Sequence, residues 1–141
     1  MPKIIVVNIC SVDGYYEGPG NNVMALPMDH AFDSYNLERI QAADTVLLGA
    51  ASYRMFNGFW PAMANDPQAS CTHRAFRAAE PYGTTCSRTE MVDELHLIVG
   101  DTALGGGTSL LPAAMTPRLL DTRRFDGSDN LLAVYSPGSD R

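Results

Sequence analysis

A chain of 141 residues with 45 % hydrophobic and 18 % charged residues has the composition of a globular domain with its own core, which excludes a disordered segment. Ten Lys and Arg stand against sixteen Asp and Glu, a net charge of −6, and Lys3 is the one lysine. That balance argues against nucleic acid and anionic membranes as partners, and leaves any phosphate to a few arginines or to backbone N–H groups. Three cysteines, Cys10, Cys71 and Cys86, cannot all pair and fit no zinc spacing, so reduced thiols and a cytoplasmic setting are expected. No apolar run suits a signal peptide or a membrane span.

Residues 3–10 (Lys-Ile-Ile-Val-Val-Asn-Ile-Cys) are β-branched and almost continuously apolar, which predicts a central strand. The strand runs into Ser11-Val12-Asp13-Gly14, and 15–22 carries Gly18-Pro19-Gly20, a loop signal. Asp13 therefore stands at the mouth of a strand beside a loop. Residue type alone leaves two roles open for it, a turn-forming side chain or a catalytic carboxylate. Residues 34–43 predict a helix, with Leu37, Ile40 and Ala43 on one face, Asp33 as N-cap and Phe32 packing back as a staple.

Val46, Leu47 and Leu48 read as a short strand buried on both faces, ended by Gly49, and 50–57 has helical composition. A strand, a small-residue turn and a helix N-terminus offer free N–H groups to an anion. The same pattern is an ordinary connection, since no strict phosphate loop is present. Residues 62–68 read as loop, 70–80 as a helix stopped by Pro81, and 82–87 as short and polar. Glu94–Val99 is a second strand. Residues 103–108, Ala-Leu-Gly-Gly-Gly-Thr, form either a plain linker or a loop whose backbone can approach a ligand. Residues 118–125 and 131–135 flank Asp126-Gly127 and predict a terminal β-hairpin.

No nucleophile elbow, phosphate loop or His-Glu-x-x-His is present. His30, His73 and His96 are scattered, so no metal is expected, and His96 reads as a structural or exposed residue. Asp93-Glu94 reads as structural, because neighbours on a strand point to opposite faces.

An ordered series of motifs resembles the reductase family related to the C-terminal domain of the bifunctional riboflavin-biosynthesis deaminase/reductase. The series is Ser11-Val12-Asp13-Gly14, Asn36-Leu37-Glu38-Arg39, Ala43 to Gly49, and Ser52-Tyr53 through Phe59-Trp60-Pro61. Val92-Asp93-Glu94-Leu95, Leu104-Gly105-Gly106-Gly107 and the terminal hairpin complete it. The resemblance covers the chain to Pro61 and again from Met91. It implies one α/β domain over 1–141 with a dihydrofolate-reductase-like three-layer fold, a mixed, mostly parallel central sheet and a C-terminal β-hairpin. It implies an NADPH-dependent reductase passing hydride to a small pteridine- or pyrimidine-like heterocycle, as in 5-amino-6-(5-phosphoribosylamino)uracil reductase or dihydrofolate reductase. Asp13 would be the acid or substrate-orienting group. Gly49, Ala50 and Ser52, with Gly83 and Thr84, would lie at the cofactor. Gly14, Phe59, Trp60, Gly105, Gly106 and Gly107 would line the substrate pocket.

Two departures stand out. Ala50 replaces the arginine common in the family, which can fork onto a phosphate as alanine cannot. Residues 62–90 are much shorter than the family norm, with Tyr82-Gly83-Thr84-Thr85 as a possible remnant of a dinucleotide-binding turn. The alternative is thus a diverged, non-catalytic binding or oligomeric scaffold protein with the same fold. A shortened middle also implies a homodimer, with strands such as 3–10 or Glu94–Val99 completing the sheet or core across the interface.

Overall fold

The computed structural model describes residues 3–48, 50–63, 82–83, 92–111 and 114–137. The chain divides into two compact units, Met1–Phe32 with Arg88–Arg141, and Asp33–Ser87 inserted between them in sequence.

The first unit is built on a four-stranded mixed sheet in the order β1 (Ile5–Cys10), β5 (Glu94–Val99), β8 (Leu131–Ser136), β7 (Arg118–Arg124). β1 and β5 pair in parallel, Ile5 with Glu94 through to Cys10 with Val99. β5 pairs antiparallel with β8, which closes the terminal hairpin with β7. A second, two-stranded sheet joins β2 (Tyr15–Glu17) to β6 (Thr108–Ser109). The mixed sheet and terminal hairpin expected from the sequence are present, and Glu94–Val99 has the expected bounds.

β5 is the spine of this unit. Leu95, His96, Leu97 and Ile98 are buried, so both of its faces are covered, and Ile98 has 0 % of its surface exposed. Ile9, Cys10, Leu132, Ala133 and Val134 are buried on the flanking strands. Burial raises the Cys10 thiol pKa, which keeps it protonated and unreactive. His96 is buried, not exposed, and its Nε2 lies 2.9 Å from Glu94 Oε2. Lys3 pairs with the other Glu94 oxygen. The Lys3 bond, then the His96 bond, hold the Glu94 carboxyl below its ordinary pKa. Asp93 accepts the Ile4 N–H at 2.8 Å, so Asp93 and Glu94 both serve structure, as their adjacency implies.

Three differences from the sequence reading have physical causes. The first helix, α1, spans His30–Ala42 and starts earlier than expected. Asp29, not Asp33, accepts the Phe32 N–H at 3.0 Å, so Asp29 is the cap and Asp33 falls in the first turn, where an acid suits the dipole. Residues 15–22 and 103–108, read as free loops, supply β2 and β6, because each supplies the other's hydrogen-bond partners from far away in sequence. Because β1 and β8 occupy both of its edges, Glu94–Val99 has no backbone left to extend a sheet across an interface.

In the second unit, β3 (Leu47–Leu48) pairs in parallel with β4 (Tyr82–Gly83). Leu47 is 44 % exposed, which corrects the expectation of a strand buried on both faces. A two-residue strand is too short for its apolar run to imply full burial. Helix α2 (Ala50–Met63) continues past Gly58 and Pro61, beyond the expected end at 57. Glycine inside a helix costs only about 1 kcal/mol against alanine, which neighbouring helix formers can outweigh.

The link between the segment before α1 and the hairpin is a polar clip. Asn130 donates from Nδ2 to the Pro27 carbonyl at 2.9 Å and from its backbone N–H to Ser128 Oγ at 3.1 Å. The Ser128 hydroxyl donates to Asp29. Burial raises the Asp29 pKa, but bonds from Ser128, the Phe32 N–H, Asn130 and the Ala31 N–H outweigh it and hold it below the ordinary value. Gly100 fits beneath this clip: a Cβ there would meet Pro27 Cγ at 2.4 Å and Cδ at 2.8 Å. Gly100→Ala should therefore lower stability by about 1–3 kcal/mol, the ordinary cost of overpacking, read as a lower urea midpoint with unchanged slope.

Candidate active site

β1 and β5 are parallel neighbours, so their carboxyl ends open on the same side of the sheet. In open α/β sheets that end is where ligands bind. The loop after β1 carries Ser11 to Gly14, and the loop after β5 carries the three glycines Gly105, Gly106 and Gly107. The two loops are stitched together. Val12 N–H donates to the Thr102 carbonyl at 2.9 Å, and Leu110 N–H to the Gly14 carbonyl at 2.9 Å.

Asp13 supplies the central contact. Its Oδ1 accepts the Leu104 N–H at 3.0 Å and its Oδ2 accepts the Gly105 N–H at 2.7 Å. The Ser11 hydroxyl also bonds to it, while accepting the Tyr15 N–H at 3.0 Å. The Ser11 bond, then the Leu104 and Gly105 bonds, lower the Asp13 pKa to about 2. A carboxylate has about four acceptor positions. Each oxygen holds one loop amide, so Asp13 carries no proton at neutral pH and its exposed carboxylate can still accept from a solvent-side donor.

The far end of the glycine loop is held just as closely. Gly107 has φ +131°, and a Cβ there would sit 2.1 Å from the Glu17 carbonyl oxygen. Glycine is required on both counts. Thr108 Oγ1 donates to Glu17 Oε1 at 2.6 Å. The structure thus brings Asp13, Gly14, Gly105, Gly106 and Gly107 together in one unit. Sequence reasoning did not single out Ser11, Glu17 or Thr108. Ser11 carried a readable signal, a hydroxyl two residues before an aspartate, which favours local side-chain-to-backbone bonding.

The other expected residues belong to the second unit. Ser52 lies in the first turn of α2, which carries no acidic residue. Ala50, Phe59 and Trp60 lie on α2, with side chains outside the described structure, and Gly83 lies on β4. Gly49 and Thr84 lie outside the described residues. Among the described residues, no group of three or more His, Cys, Asp or Glu is placed to hold a metal, and no helix is long and apolar enough to cross a membrane.

No family model and no curated protein matches the sequence. Solved structures do match in fold. A riboflavin-biosynthesis protein from Shewanella sp. PV-4 is 17 % identical, with 98 % of this chain and 100 % of that one covered and a TM-score of 0.64. The chain has the fold of the riboflavin-biosynthesis reductases. RibD from Acinetobacter baumannii superposes with a TM-score of 0.65 at 10 % identity, over 98 % of this chain and 58 % of RibD. A pyrimidine reductase-like protein from Corynebacterium diphtheriae gives a TM-score of 0.60 at 12 % identity, over 99 % of this chain and 93 % of that one. The α/β, dihydrofolate-reductase-like class expected from the motif series is the class these structures share with the chain.

The Asp13 clamp has a defined acid limit. Its folded pKa lies below the ordinary value of 3.8, so its contribution is complete above that pH and is lost as pH falls through about 2. Amide exchange at Leu104 and Gly105 should stay protected, relative to intrinsic rates, from neutral pH down to about pH 4, then lose protection below it. In Asp13→Asn one oxygen becomes an NH2 that faces an N–H donor, so protection at one of these two amides should fall roughly tenfold at neutral pH.

Proposed function

We propose that the chain is a reductase using NADPH to reduce a small pteridine- or pyrimidine-like heterocycle, as the riboflavin-biosynthesis fold class suggests. The observation that carries the reading is the ionised Asp13 at the carboxyl ends of two adjacent parallel strands, fastened to the glycine loop. An acid with a pKa near 2 does not donate a proton at neutral pH. Of the two roles the resemblance implies, Asp13 therefore takes the substrate-orienting one, accepting an N–H from the heterocycle on its solvent-facing side. The Gly105 to Gly107 backbone lets the ring approach closely, since no Cβ projects from it.

The second unit carries the residues proposed for the cofactor. A helix of this length with no acid in its first turn suits a phosphate, because its N–H groups are unopposed by like charge. Ser52 would add a hydroxyl, with Gly49, Ala50, Gly83 and Thr84 at the same group. NADPH, when bound, supplies the hydride. Phe59 and Trp60 would wall the substrate. The buried free Cys10 suits a cytoplasmic setting, as part of the same proposal.

A second reading, a non-catalytic scaffold with the same fold, is favoured by Ala50, which removes the family's phosphate-pairing arginine. One experiment separates the two. NADPH added to the purified chain should change nicotinamide fluorescence, and NADPH should be consumed with 5-amino-6-(5-phosphoribosylamino)uracil or dihydrofolate. Asp13→Asn should keep the fluorescence titration and lose turnover by roughly 10²-fold, the scale of a misplaced reacting group. No fluorescence change and no consumption with either substrate would favour the scaffold.

A further inference from the structure

The glycine-loop site carries a charge that the reductase reading does not use. Residues 11–29 follow β1 and residues 100–117 follow β5, and neither stretch contains a lysine, arginine or histidine. Both contain acids. Asp13 and Asp101 are exposed and Glu17 is half-buried. Asp13 holds one end of the glycine loop through the Leu104 and Gly105 amides, and Glu17 holds the other through Thr108. Asp101 accepts the Thr102 hydroxyl at 3.3 Å, and the Thr102 carbonyl accepts the Val12 N–H, next to Asp13. Three acids thus stand on one pair of stitched loops. The fourth acid of these stretches, Asp29, is turned to the start of α1 and to Ser128.

Among the described residues of the first unit, the lysine and the arginines stand away from this loop. Lys3 is paired with Glu94 at the amino ends of β1 and β5. Arg118 lies toward the same end, because it pairs with Ser136 and the adjacent Tyr135 pairs with Leu95. Arg123 and Arg124 lie at the carboxyl end, but on β7, two strands from β5. Ordinary strand spacing puts them about 10 Å from β5, which is about one Debye length at physiological salt. Arg123 lies over the Phe125 ring, and Arg124 lines a hollow with Asp126 and Asp129. In the second unit, Arg39 bonds to Glu38 and lies over Tyr35, and Arg54 rides on α2, the helix proposed for the cofactor phosphate.

We propose that this site selects a heterocycle without a phosphate, either a free base or a nucleoside-like compound that is neutral or cationic. The proposal rests on the reductase reading and narrows its substrate. A glycine-rich turn with successive free N–H groups is ordinarily a nest for an anion. Here the Leu104 and Gly105 N–H groups are already taken by the carboxylate of Asp13. The chain's own anion fills the place where a substrate phosphate would be cradled. A phosphate monoester carries a charge of about −1.5 to −2 at pH 7, and it would meet Asp13 and Asp101 with no cation of these loops to offset them. Repulsion of this kind is how a site rejects one of two otherwise similar ligands.

The test compares 5-amino-6-(ribosylamino)uracil with its 5′-phosphate on the purified full chain, by calorimetric titration and by NADPH consumption. In low salt the nucleoside should bind roughly tenfold or more tighter than the phosphate. Raising NaCl from about 50 mM to about 500 mM should shrink that preference severalfold, because salt screens charge and leaves shape unchanged. Asp101→Lys alters an exposed position that has no assigned part in the reaction. It should improve binding of the phosphate roughly tenfold and leave the nucleoside within about twofold of wild type. The salt series needs no variant, so it decides even where Asp101→Lys alters the fold. A phosphate bound as tightly as the nucleoside, or a preference that salt does not move, would overturn the proposal. The preference in titration without NADPH consumption would support the charge selection and remove the reductase reading. Binding of neither compound at about 1 mM, the weak end of measurable affinity, would overturn both.

Discussion

The parallel pairing of β1 with β5 is the constraint on which the rest of the first unit depends. It fixes which loop ends lie side by side, because parallel neighbours deliver their following loops to one edge of the sheet. The Asp13 loop and the glycine loop meet for that reason, although neither is near the other in sequence. β5 can serve as the shared partner because its residues are apolar on both faces and both of its edges are paired. The one polar residue of its buried run, His96, is accommodated by Glu94, which Lys3 also neutralises. A buried imidazole without such a partner would cost stability.

The candidate site rests on the same logic at smaller scale. A carboxylate exposed to water is ordinarily a weak anchor. At Asp13 the anchoring comes from geometry: two successive backbone N–H groups present themselves to its two oxygens. The arrangement resembles an N-cap without a helix, a short side chain satisfying consecutive amides that have no partner of their own. It explains why a stretch as glycine-rich as 105–107 holds a defined path. Ordering glycine is entropically expensive, and here the cost is met at one end by Asp13 and at the other by the Glu17 and Thr108 pair.

The strands with apolar runs were legible in the sequence, since 3–10 is β-branched and almost continuously apolar and Glu94–Val99 carries the run Leu97-Ile98-Val99. The hairpin was legible through Asp126-Gly127, where Gly127 takes φ +74° and Ser128 N–H bonds back to the Phe125 carbonyl. The start of α1 was misplaced because two aspartates four residues apart both make acceptable caps, and only the hydrogen bond to Phe32 separates them. β2 and β6 were invisible because a three-residue and a two-residue strand have no periodicity to read. Asp13 was visible as a candidate, but its ionisation was not. That property comes from the amides of Leu104 and Gly105, which no local pattern around Asp13 foretells.

The division of the chain carries a consequence for how the protein comes into being. The first unit is assembled from two pieces of sequence, with Asp33–Ser87 lying between them. On a ribosome, β1 emerges before β5 and must wait for it before its backbone finds the partner it has in the finished sheet. Contacts between such distant segments form late and slowly, because the intervening chain must first be closed into a loop. Through that interval an apolar, β-branched strand is available to any other unpaired edge. The nascent chain is therefore at its most aggregation-prone before Glu94 is translated, and slowing synthesis ahead of that point would lengthen the exposure.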